Sequence, residues 1–223
     1  MQTSSPFGAD TQKYWDQRYF LFSRFDEGIQ LDREGLYSAK PESIASDIAR
    51  SLPGSCVLDG FCGVGGSAIG FARYKKSVIS IDNNKGKLEM ARHNAKIYGV
   101  EDKIRFIHAD IKDILASGEL SFDSLFFDPP WGGPDYSKEK IFNLDMFSPD
   151  GRDLIDAARR TKRPFALVVP KNFNMNQIYS LGIPFSVQWN KADQSNLFAT
   201  IYFEAVDSLQ DKEKRTHGEG VLR

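Results

Sequence analysis

Five short apolar runs recur along this 223-residue chain and are separated by segments with a helical pattern. The runs are rich in Val, Ile, Leu and Phe, which is typical of strands buried on both faces of a sheet. They lie at 55–59, 77–82, 103–110, 124–128 and 164–170. The helical patterns lie at 67–74, 83–98 and 149–160. This alternation predicts a mostly parallel sheet with helices on both faces, because a parallel connection has to cross over the sheet.

Two further strand-like runs, at 183–189 and 196–204, have little helical sequence between them. They predict an antiparallel hairpin that completes a seven-stranded sheet.

The part of the chain ahead of the first strand has a different composition. Residues 11–52 are dense in aromatic residues and arginine and predict a small helical N-terminal extension, with helices at 11–20 and 41–51. Pattern alone favours an extension that packs over the sheet, with a lid above a site as the alternative. We expect a disordered leader at 1–10, the main α/β domain at 53–206 and a flexible polar tail at 207–223.

Composition argues against several classes of protein. The formal net charge is −1, which disfavours a broad basic surface that coats nucleic acid. Cys56 and Cys62 provide no disulfide framework, and the three histidines lack metal-ligand spacing, so we expect no metal. No apolar stretch is long enough to span a membrane, and residues 1–10 lack a signal-peptide core. These features favour an intracellular protein without a membrane partner.

Acidic residues end three successive predicted strands. They are Asp59, Asp82 and Asp110. Ligands of open α/β sheets bind beyond the carboxyl ends of the strands, so we expect the three carboxylates at one site. The turn after Asp59 is rich in glycine, and Gly63 in that turn lets backbone and ligand approach closely. Taken singly, Asp82 and Asp110 could serve equally as helix caps or turn residues.

Together these residues fit a cofactor that is nucleoside-like, cationic and free of phosphate. S-adenosylmethionine has these properties: its sulfonium and ammonium suit an acidic site, and Asp82 can accept hydrogen bonds from both ribose hydroxyls. Asp110 could accept one from the adenine amino group. A nicotinamide dinucleotide fits less well, because Asp59 would repel its pyrophosphate and the glycines do not follow the dinucleotide pattern.

A stiff loop, Asp128-Pro129-Pro130-Trp131, follows the fourth strand, since proline fixes φ and lacks an amide donor. Methyltransferases of exocyclic amino groups carry Asp, Asn or Ser, then Pro-Pro and an aromatic residue, at this point. Such a nitrogen is conjugated with its ring and is a poor nucleophile. Hydrogen bonds to the Asp128 side chain and the Pro129 carbonyl would hold it in line with the methyl group. Trp131 would stack on the base; the alternative is a proline-rich turn with a core tryptophan.

Several segments resemble the trimethylguanosine synthase family of RNA cap guanine-N2 methyltransferases, over about residues 13–203. They are "KYWDQRYFLFSRFDEGIQLDREGLYSAKPE", "DGFCGVGGSAIGFA", "ARHNAKIYGVEDKIRFIHAD", "PPWGGPDY" and "MFSPDG". The resemblance implies the Rossmann-like fold of a class I S-adenosylmethionine-dependent methyltransferase. It covers the catalytic domain alone, without the long N-terminal extension of animal members.

The resemblance also implies roles for individual residues. Trp131 would stack on 7-methylguanine, whose positive charge suits the face of an indole ring. Phe22, Tyr37 and Ser38 would close over cofactor and base, which makes the N-terminal extension part of a lid. Asn94 would lie near the cofactor, beside the three acids.

Further implied contacts involve the cap phosphates, and two residues depart from the family pattern. Lys13 and Lys171 match positions that contact the phosphates. Lys171 stands where animal members have Arg, so it keeps the charge but loses the bidentate fork. Asp128 stands where the family usually has Ser; it still accepts hydrogen bonds but adds a negative charge beside a cationic base.

The implied activity is methylation of the N2 amino group of 7-methylguanosine caps on small nuclear and nucleolar RNAs, first to the 2,7-dimethyl and then to the 2,2,7-trimethyl form. The implied protein is a nuclear monomer that meets the core proteins of the small ribonucleoprotein particles. Two alternatives stay open. The first is an amino methyltransferase acting on adenine N6 or guanine N2 inside RNA or DNA. The second is a cap-binding module without catalytic activity.

Overall fold

The structure is a computed structural model that describes residues 4–74, 76–133, 138–192 and 195–205. Seven strands within these residues form one sheet. They are β1 (Cys56–Asp59), β2 (Ser77–Asp82), β3 (Ile104–His108), β4 (Ser124–Phe127), β5 (Phe165–Pro170), β6 (Phe185–Ala192) and β7 (Ser195–Phe203). Their order is β3-β2-β1-β4-β5-β7-β6, with β1 to β5 parallel and β7 antiparallel to β5 and β6. The predicted mostly parallel sheet with a final hairpin is confirmed.

The helices of the described chain precede the sheet and connect its strands. They are α1 (Gln12–Trp15), α2 (Arg18–Leu21), α3 (Arg33–Ser38), α4 (Glu42–Ser51), α5 (Gly66–Arg73), α6 (Lys85–Ile97), α7 (Ile111–Ser117), α8 (Gly151–Arg160) and α9 (Asn176–Tyr179). Asn84 caps α6 by accepting a hydrogen bond from the Lys87 N–H, and Gly99 follows the helix with φ +65°. Asparagine and glycine are common residues at the start and after the end of a helix.

Successive side chains of the central strands enter two separate hydrophobic cores, as the alternation of a strand requires. Val57 of β1 and Val168 of β5 enter the first core, whereas their neighbours Leu58 and Leu167 enter the second. Helices α4 and α5 and the N-terminal extension cover the first core, and α7 and α8 cover the second. The sheet is therefore buried on both faces, and its carboxyl edge is left for a ligand.

The N-terminal extension packs onto the first core. Trp15, Phe22 and Leu36 are buried there, so the packing role that the pattern favours is present. The helix predicted at 11–20 is divided into α1 and α2, and α3 is an additional helix. Asp32 begins α3 by accepting a hydrogen bond from the Gly35 N–H at 2.6 Å, a capping signal that the sequence contains.

Residues 4–10, part of the leader that we expect to be disordered, lie against the extension. The Ser5 N–H donates to Gln12 Oε1 at 2.9 Å, and Arg33 Nη1 donates to the Phe7 carbonyl at 2.6 Å. The Phe7 ring packs against the first core. One aromatic ring and two polar contacts thus give this short segment a defined place.

Some predicted segments fall outside the described residues. They are residues 1–3 of the leader, residues 134–137 of the proline-rich loop, residue 206 at the end of the α/β domain and the whole tail at 207–223. No helix in the part of the chain that the structure describes has the length and apolar character needed to cross a bilayer.

Candidate active site

A cavity of about 610 Å³ opens at the carboxyl edge of the sheet, where β1, β2 and β4 end. The N-terminal extension closes one side of it, and β7 contributes Phe198 to the wall. Many of the residues predicted for the site meet here. They are Tyr37, Ser38, Gly63, Asp82, Asp110, Asp128, Pro129 and Trp131.

Asp82 and Gly63 are joined directly at the mouth of the glycine-rich turn. The Gly63 N–H donates to Asp82 Oδ2 at 2.7 Å, and the Asn84 N–H donates to Oδ1 at 2.8 Å. Burial raises the pKa of Asp82, and these two backbone hydrogen bonds oppose that rise. Each carboxylate oxygen retains a further lone pair. The carboxylate is thus oriented by the backbone and can still accept hydrogen bonds from a ligand in the cavity.

Asp59 is placed differently from its prediction. Its side chain is fully buried and does not line the cavity. Ser80 Oγ donates to Asp59 Oδ2 at 2.8 Å, and the Phe61 N–H approaches Oδ1 at 3.3 Å. Burial raises the pKa of Asp59 to about 7, against these two hydrogen bonds. Asp59 therefore links the start of the glycine-rich turn, at Phe61, to Ser80 of β2.

Asp110 combines the two interpretations that the sequence leaves open. Its Oδ1 accepts a hydrogen bond from the Lys112 N–H at 2.7 Å, which caps α7. The same side chain is exposed at the rim of the cavity. A helix cap and a ligand contact are compatible because a carboxylate accepts several hydrogen bonds.

Phe22 and Asn94 do not reach the cavity, in contrast to the roles that the resemblance implies for them. Phe22 is fully buried in the first core, where its ring lies 6.4 Å from that of Tyr98. Asn94 is fully buried and bonds to the extension and to the glycine-rich turn: its Nδ2 donates to the carbonyls of Gln30 and Val64, each at 2.9 Å. Both residues hold the walls of the site.

Trp131 stands on the loop after β4 and forms part of the cavity wall. Its indole is partly buried and packs against both hydrophobic cores. The Phe198 ring meets it edge to face, with 6.4 Å between ring centroids. Because the ring is fixed by packing and also lines the cavity, it is suited to stack on a planar ligand. Trp131 therefore has the core contacts of the alternative interpretation and, in addition, a surface that a ligand can reach.

Lys40 is a site residue that the sequence analysis missed. Its side chain is only 6% exposed and lines the cavity, and its Nζ lies 2.5 Å from Asp128 Oδ2. The ammonium also lies over two aromatic rings, 5.2 Å from the Trp131 centroid and 4.5 Å from that of Phe198. A lysine before a proline at a helix start gives no sequence signal of burial.

Two residues of the extension, Tyr37 and Ser38, reach the cavity as the resemblance implies. The Tyr37 ring lies 5.8 Å from that of Tyr14, which also lines the cavity, and burial raises the pKa of Tyr37. Ser38 Oγ donates to the Glu34 carbonyl at 2.8 Å. The extension thus packs on the sheet with one part and walls the cavity with another.

The lysines predicted for the cap phosphates lie outside the cavity. Lys13 is exposed with its Nζ over the Tyr14 ring at 4.7 Å, and Lys171 is exposed directly after β5. Two other lysines line the cavity instead: Lys87, whose Nζ lies 2.5 Å from Glu34 Oε2, and Lys112. Sequence spacing did not single them out, since both sit in ordinary amphipathic helices.

The residues present fit S-adenosylmethionine. Gly63 faces open space, with no atom within 4 Å of the place where a Cβ would stand, so a ligand can approach its backbone closely. Asp82 and Asp110 bring two carboxylates to this end of the cavity, where Glu34 pairs with Lys87, and carboxylates suit a cationic nucleoside. No group of three or more His, Cys, Asp or Glu side chains in the described residues is arranged to hold a metal ion.

The strand order, the glycine-rich turn after β1 and the acid at the end of β2 define a class I S-adenosylmethionine-dependent methyltransferase. Solved methyltransferase structures share this fold. The first is a putative methyltransferase from Porphyromonas gingivalis W83, with a TM-score of 0.66 and 15% identity, which matches 90% of this chain and 52% of that one. The second is an O-methyltransferase from Thermotoga maritima, with a TM-score of 0.53 and 16% identity over 83% of this chain and 71% of that one.

Sequence comparison identifies the family within this class. Residues 54–209 match the profile described as RNA cap guanine-N2 methyltransferase. A trimethylguanosine synthase from Schizosaccharomyces pombe is 39% identical over 186 residues, which cover 79% of this chain and 77% of the relative. The chain belongs to the RNA cap guanine-N2 methyltransferase family.

Proposed function

We propose that this enzyme methylates the N2 amino group of a 7-methylguanosine cap twice, giving the 2,7-dimethyl and then the 2,2,7-trimethyl form. The observation that carries the proposal is that two groups of residues, one suited to a cofactor and one suited to a base, line the same cavity. One is the acidic, glycine-lined end around Gly63 and Asp82, and the other is the loop of Asp128, Pro129 and Trp131.

Trp131 provides the surface on which the base binds. A cation over an indole face is stabilised by about 0.5–2 kcal/mol, and a stacked base by roughly 1–3 kcal/mol. A purine that is methylated at N7 and positively charged gains from both effects. An unmethylated guanine gains only from stacking, so the same ring accounts for a preference for the methylated cap.

Asp128 and Pro129 orient the amino group. The Asp128 carboxylate and the Pro129 carbonyl would each accept one N–H, which fixes the plane of the amine and reduces its conjugation with the ring. S-adenosylmethionine, when bound, supplies an electrophilic methyl group on its sulfonium. After transfer the nitrogen loses one proton, to Asp128 or to solvent. The remaining N–H can use the same acceptors in a second round.

The RNA beyond the base leaves the cavity toward solvent in this proposal. Lys13 and Lys171 are exposed, so they can meet phosphates that the enclosed cavity does not hold. A few cations suffice for one triphosphate bridge, which is consistent with a chain of near-neutral net charge. We further propose small nuclear and nucleolar RNAs as substrates, their core particle proteins as partners, and a nuclear monomer as the active form.

Mass spectrometry of reaction products tests the proposal. The protein is incubated with S-adenosylmethionine and one of three substrates: a 7-methylguanosine-capped dinucleotide, its unmethylated counterpart, or uncapped RNA and DNA strands. We expect one and then two methyl groups on the first substrate and little on the others. Methylation of internal adenine or guanine instead would contradict the proposal and favour the alternative amino methyltransferase. Binding of the cap without binding of the cofactor would favour a module without catalytic activity.

A further inference from the structure

Lys40 brings a positive charge into direct contact with Asp128, the acid of the loop after β4. The Lys40 side chain is 6% exposed and that of Asp128 is 14% exposed, and their charged atoms lie 2.5 Å apart. The backbone of Lys40 packs closely against Gly66, where an added Cβ would stand 2.9 Å from the Lys40 carbonyl oxygen. This pair is a fixed part of the cavity wall.

Each member of such a pair depends on the other. A buried carboxylate without a partner is driven toward its protonated form, and a buried ammonium toward its neutral form. Removing one partner of a buried pair is costly, whereas replacing both with uncharged groups of suitable shape is often nearly neutral. Burial raises the pKa of Asp128, and the Lys40 ammonium acts against that rise.

We propose that Lys40 is a positioning residue for amine methylation: it keeps Asp128 ionised and engages Oδ2, so that Oδ1, with both of its lone pairs unengaged by Lys40, is the preferred acceptor for the N–H of the substrate. This inference rests on the proposed function. It also explains how the chain accommodates a carboxylate beside a cationic base. The added negative charge is offset by a lysine, so the wall facing the cationic base has no net charge from this pair.

The surroundings of Asp128 determine the expected pH dependence. Lys40 faces it from the segment between α3 and α4, and Asp59, whose own pKa is raised in part by the Asp128 charge, lies on β1. Loss of the Lys40 ammonium leaves burial, which raises the pKa of Asp128. The ionised fraction at neutral pH then falls and recovers as the pH is raised.

The test is a double-mutant cycle on the full chain with Lys40→Met, Asp128→Ser and the double variant, assayed on the 7-methylguanosine-capped dinucleotide across pH. We expect Lys40→Met to lower kcat at pH 7 by about tenfold or more and to move the acidic limb of the rate profile to higher pH. Asp128→Ser should raise KM for the cap, because an unpaired ammonium repels the cationic base. The double variant should be more active than either single variant.

Two further variants separate positioning from stability. Lys40→Arg keeps the charge and should retain the wild-type pH profile. Lys76→Met removes another buried lysine, one whose Nζ donates to the carbonyls of Leu52 and Gly54 away from the cavity, and should lower stability without moving the profile. An unshifted profile in Lys40→Met, or a double variant no better than the worse single variant, would overturn the inference.

The inference can fail independently of the proposed function. If the wild-type chain methylates no cap, the proposed function is wrong. The pair can still be tested by urea unfolding of the wild type, Lys40→Met, Asp128→Ser and the double variant. The pair is supported if the double variant loses less free energy of unfolding than the two single variants lose together. Should Lys40→Met not fold, a double variant that does fold supports the pair, because replacing both partners of a buried pair is often nearly neutral, and a double variant that also fails to fold overturns it. Additive effects would overturn it.

Discussion

Trp131 and the exposed Trp189 of β6 are the same residue type in different settings. Trp131 lines the cavity and contacts Lys40 and Phe198, whereas Trp189 is 44% exposed on the edge strand of the sheet. A rigid ring fixed by packing loses little entropy on binding a base. The proposed function therefore predicts that Trp131 contributes to binding of the base and that Trp189 does not.

We expect Trp131→Ala to reduce turnover of the 7-methylguanosine cap by about a hundredfold, since stacking contributes roughly 1–3 kcal/mol per base. Calorimetry should show S-adenosylmethionine binding that is mostly retained. Trp189→Ala is the matched control and should keep wild-type turnover. Near-normal turnover in Trp131→Ala would refute the stacking role.

Asp59 gives a pH-dependent stability of predictable sign. Its pKa is about 7 in the folded chain and 3.8 in its unperturbed state, so between these values the folded chain holds a proton that the unfolded chain has lost. Stability from this group is therefore present at low pH and lost as the pH rises toward and through about 7.

Relative to wild type, Asp59→Asn should be more stable at pH 8 by a few kcal/mol, because each unit of pKa difference contributes about 1.4 kcal/mol. The difference should shrink as the pH falls toward 4 in urea-unfolding measurements. Asp123→Asn is a control of opposite sign: hydrogen bonds from the Cys56 and Ser55 backbone lower the pKa of Asp123, so this variant should be destabilised at neutral pH. A pH-independent Asp59→Asn difference would count against the burial.

What the sequence could predict for single residues was limited by side-chain direction. The sequence predicts three acids at one site, but only Asp82 and Asp110 line the cavity, while Asp59 accepts a hydrogen bond from Ser80 of β2. A strand places alternate side chains on opposite faces. A shift of one residue along the strand therefore decides whether a side chain contacts a ligand or lies in the core. Lys40 was missed because burial of a lysine depends on its distant partner, Asp128.

At the scale of elements, the glycine-rich turn between β1 and α5 determines how closely a ligand approaches the backbone. Gly63 has φ +53° and faces the cavity. Gly99, after α6, has a similar φ of +65° and equally open surroundings, but lies away from the cavity. The two glycines thus share the backbone requirement and differ in the proximity of a ligand.

This difference can be measured. Alanine at a positive φ costs roughly 1–3 kcal/mol, so Gly63→Ala and Gly99→Ala should lose similar amounts of stability in thermal unfolding. Only Gly63→Ala should also weaken S-adenosylmethionine binding in calorimetry, by about tenfold, because its methyl group enters the space of the ligand. Equal cofactor affinities in the two variants would argue against this placement of the cofactor.

Helices and strands matched their prediction closely where the apolar pattern extends over many residues. The strand at Ser77–Asp82 and the helix at Lys85–Ile97 match their predicted positions within a few residues. Short helices were less predictable: α3 and α9 are too short to show a period of their own, and of the two only α3 has a side-chain cap, from Asp32.

For the whole molecule, the N-terminal extension joins the glycine-rich turn through one buried side chain. Asn94 Oδ1 accepts from the Gln30 N–H at 2.8 Å, and its Nδ2 donates to the Gln30 and Val64 carbonyls. The extension walls the cavity that the sheet provides, so its attachment links stability to activity. The sequence could not decide between packing and lid; the extension packs on the first core and also lines the cavity, and its role as a lid stays a prediction.

We expect Asn94→Asp to loosen this attachment. The new carboxylate would face two carbonyl oxygens in a fully buried position, and each lost buried hydrogen bond costs about 1–3 kcal/mol. Limited proteolysis should cut the extension faster, and turnover should fall. Asn176→Asp, at the exposed start of α9, is the control and should change neither. Unchanged protection of the extension in Asn94→Asp would contradict this role.

The central claim is that one cavity holds the methylated base on Trp131 with its amine at Asp128 and its cofactor beside Asp82. A crystal structure of the chain with a 7-methylguanosine cap nucleotide and S-adenosylhomocysteine tests it most directly. We predict the purine stacked on the indole, N2 within hydrogen-bonding distance of Asp128, and the ribose of the cofactor at Asp82. An indole packed away from the bound base, or a base bound outside this cavity, would contradict the account.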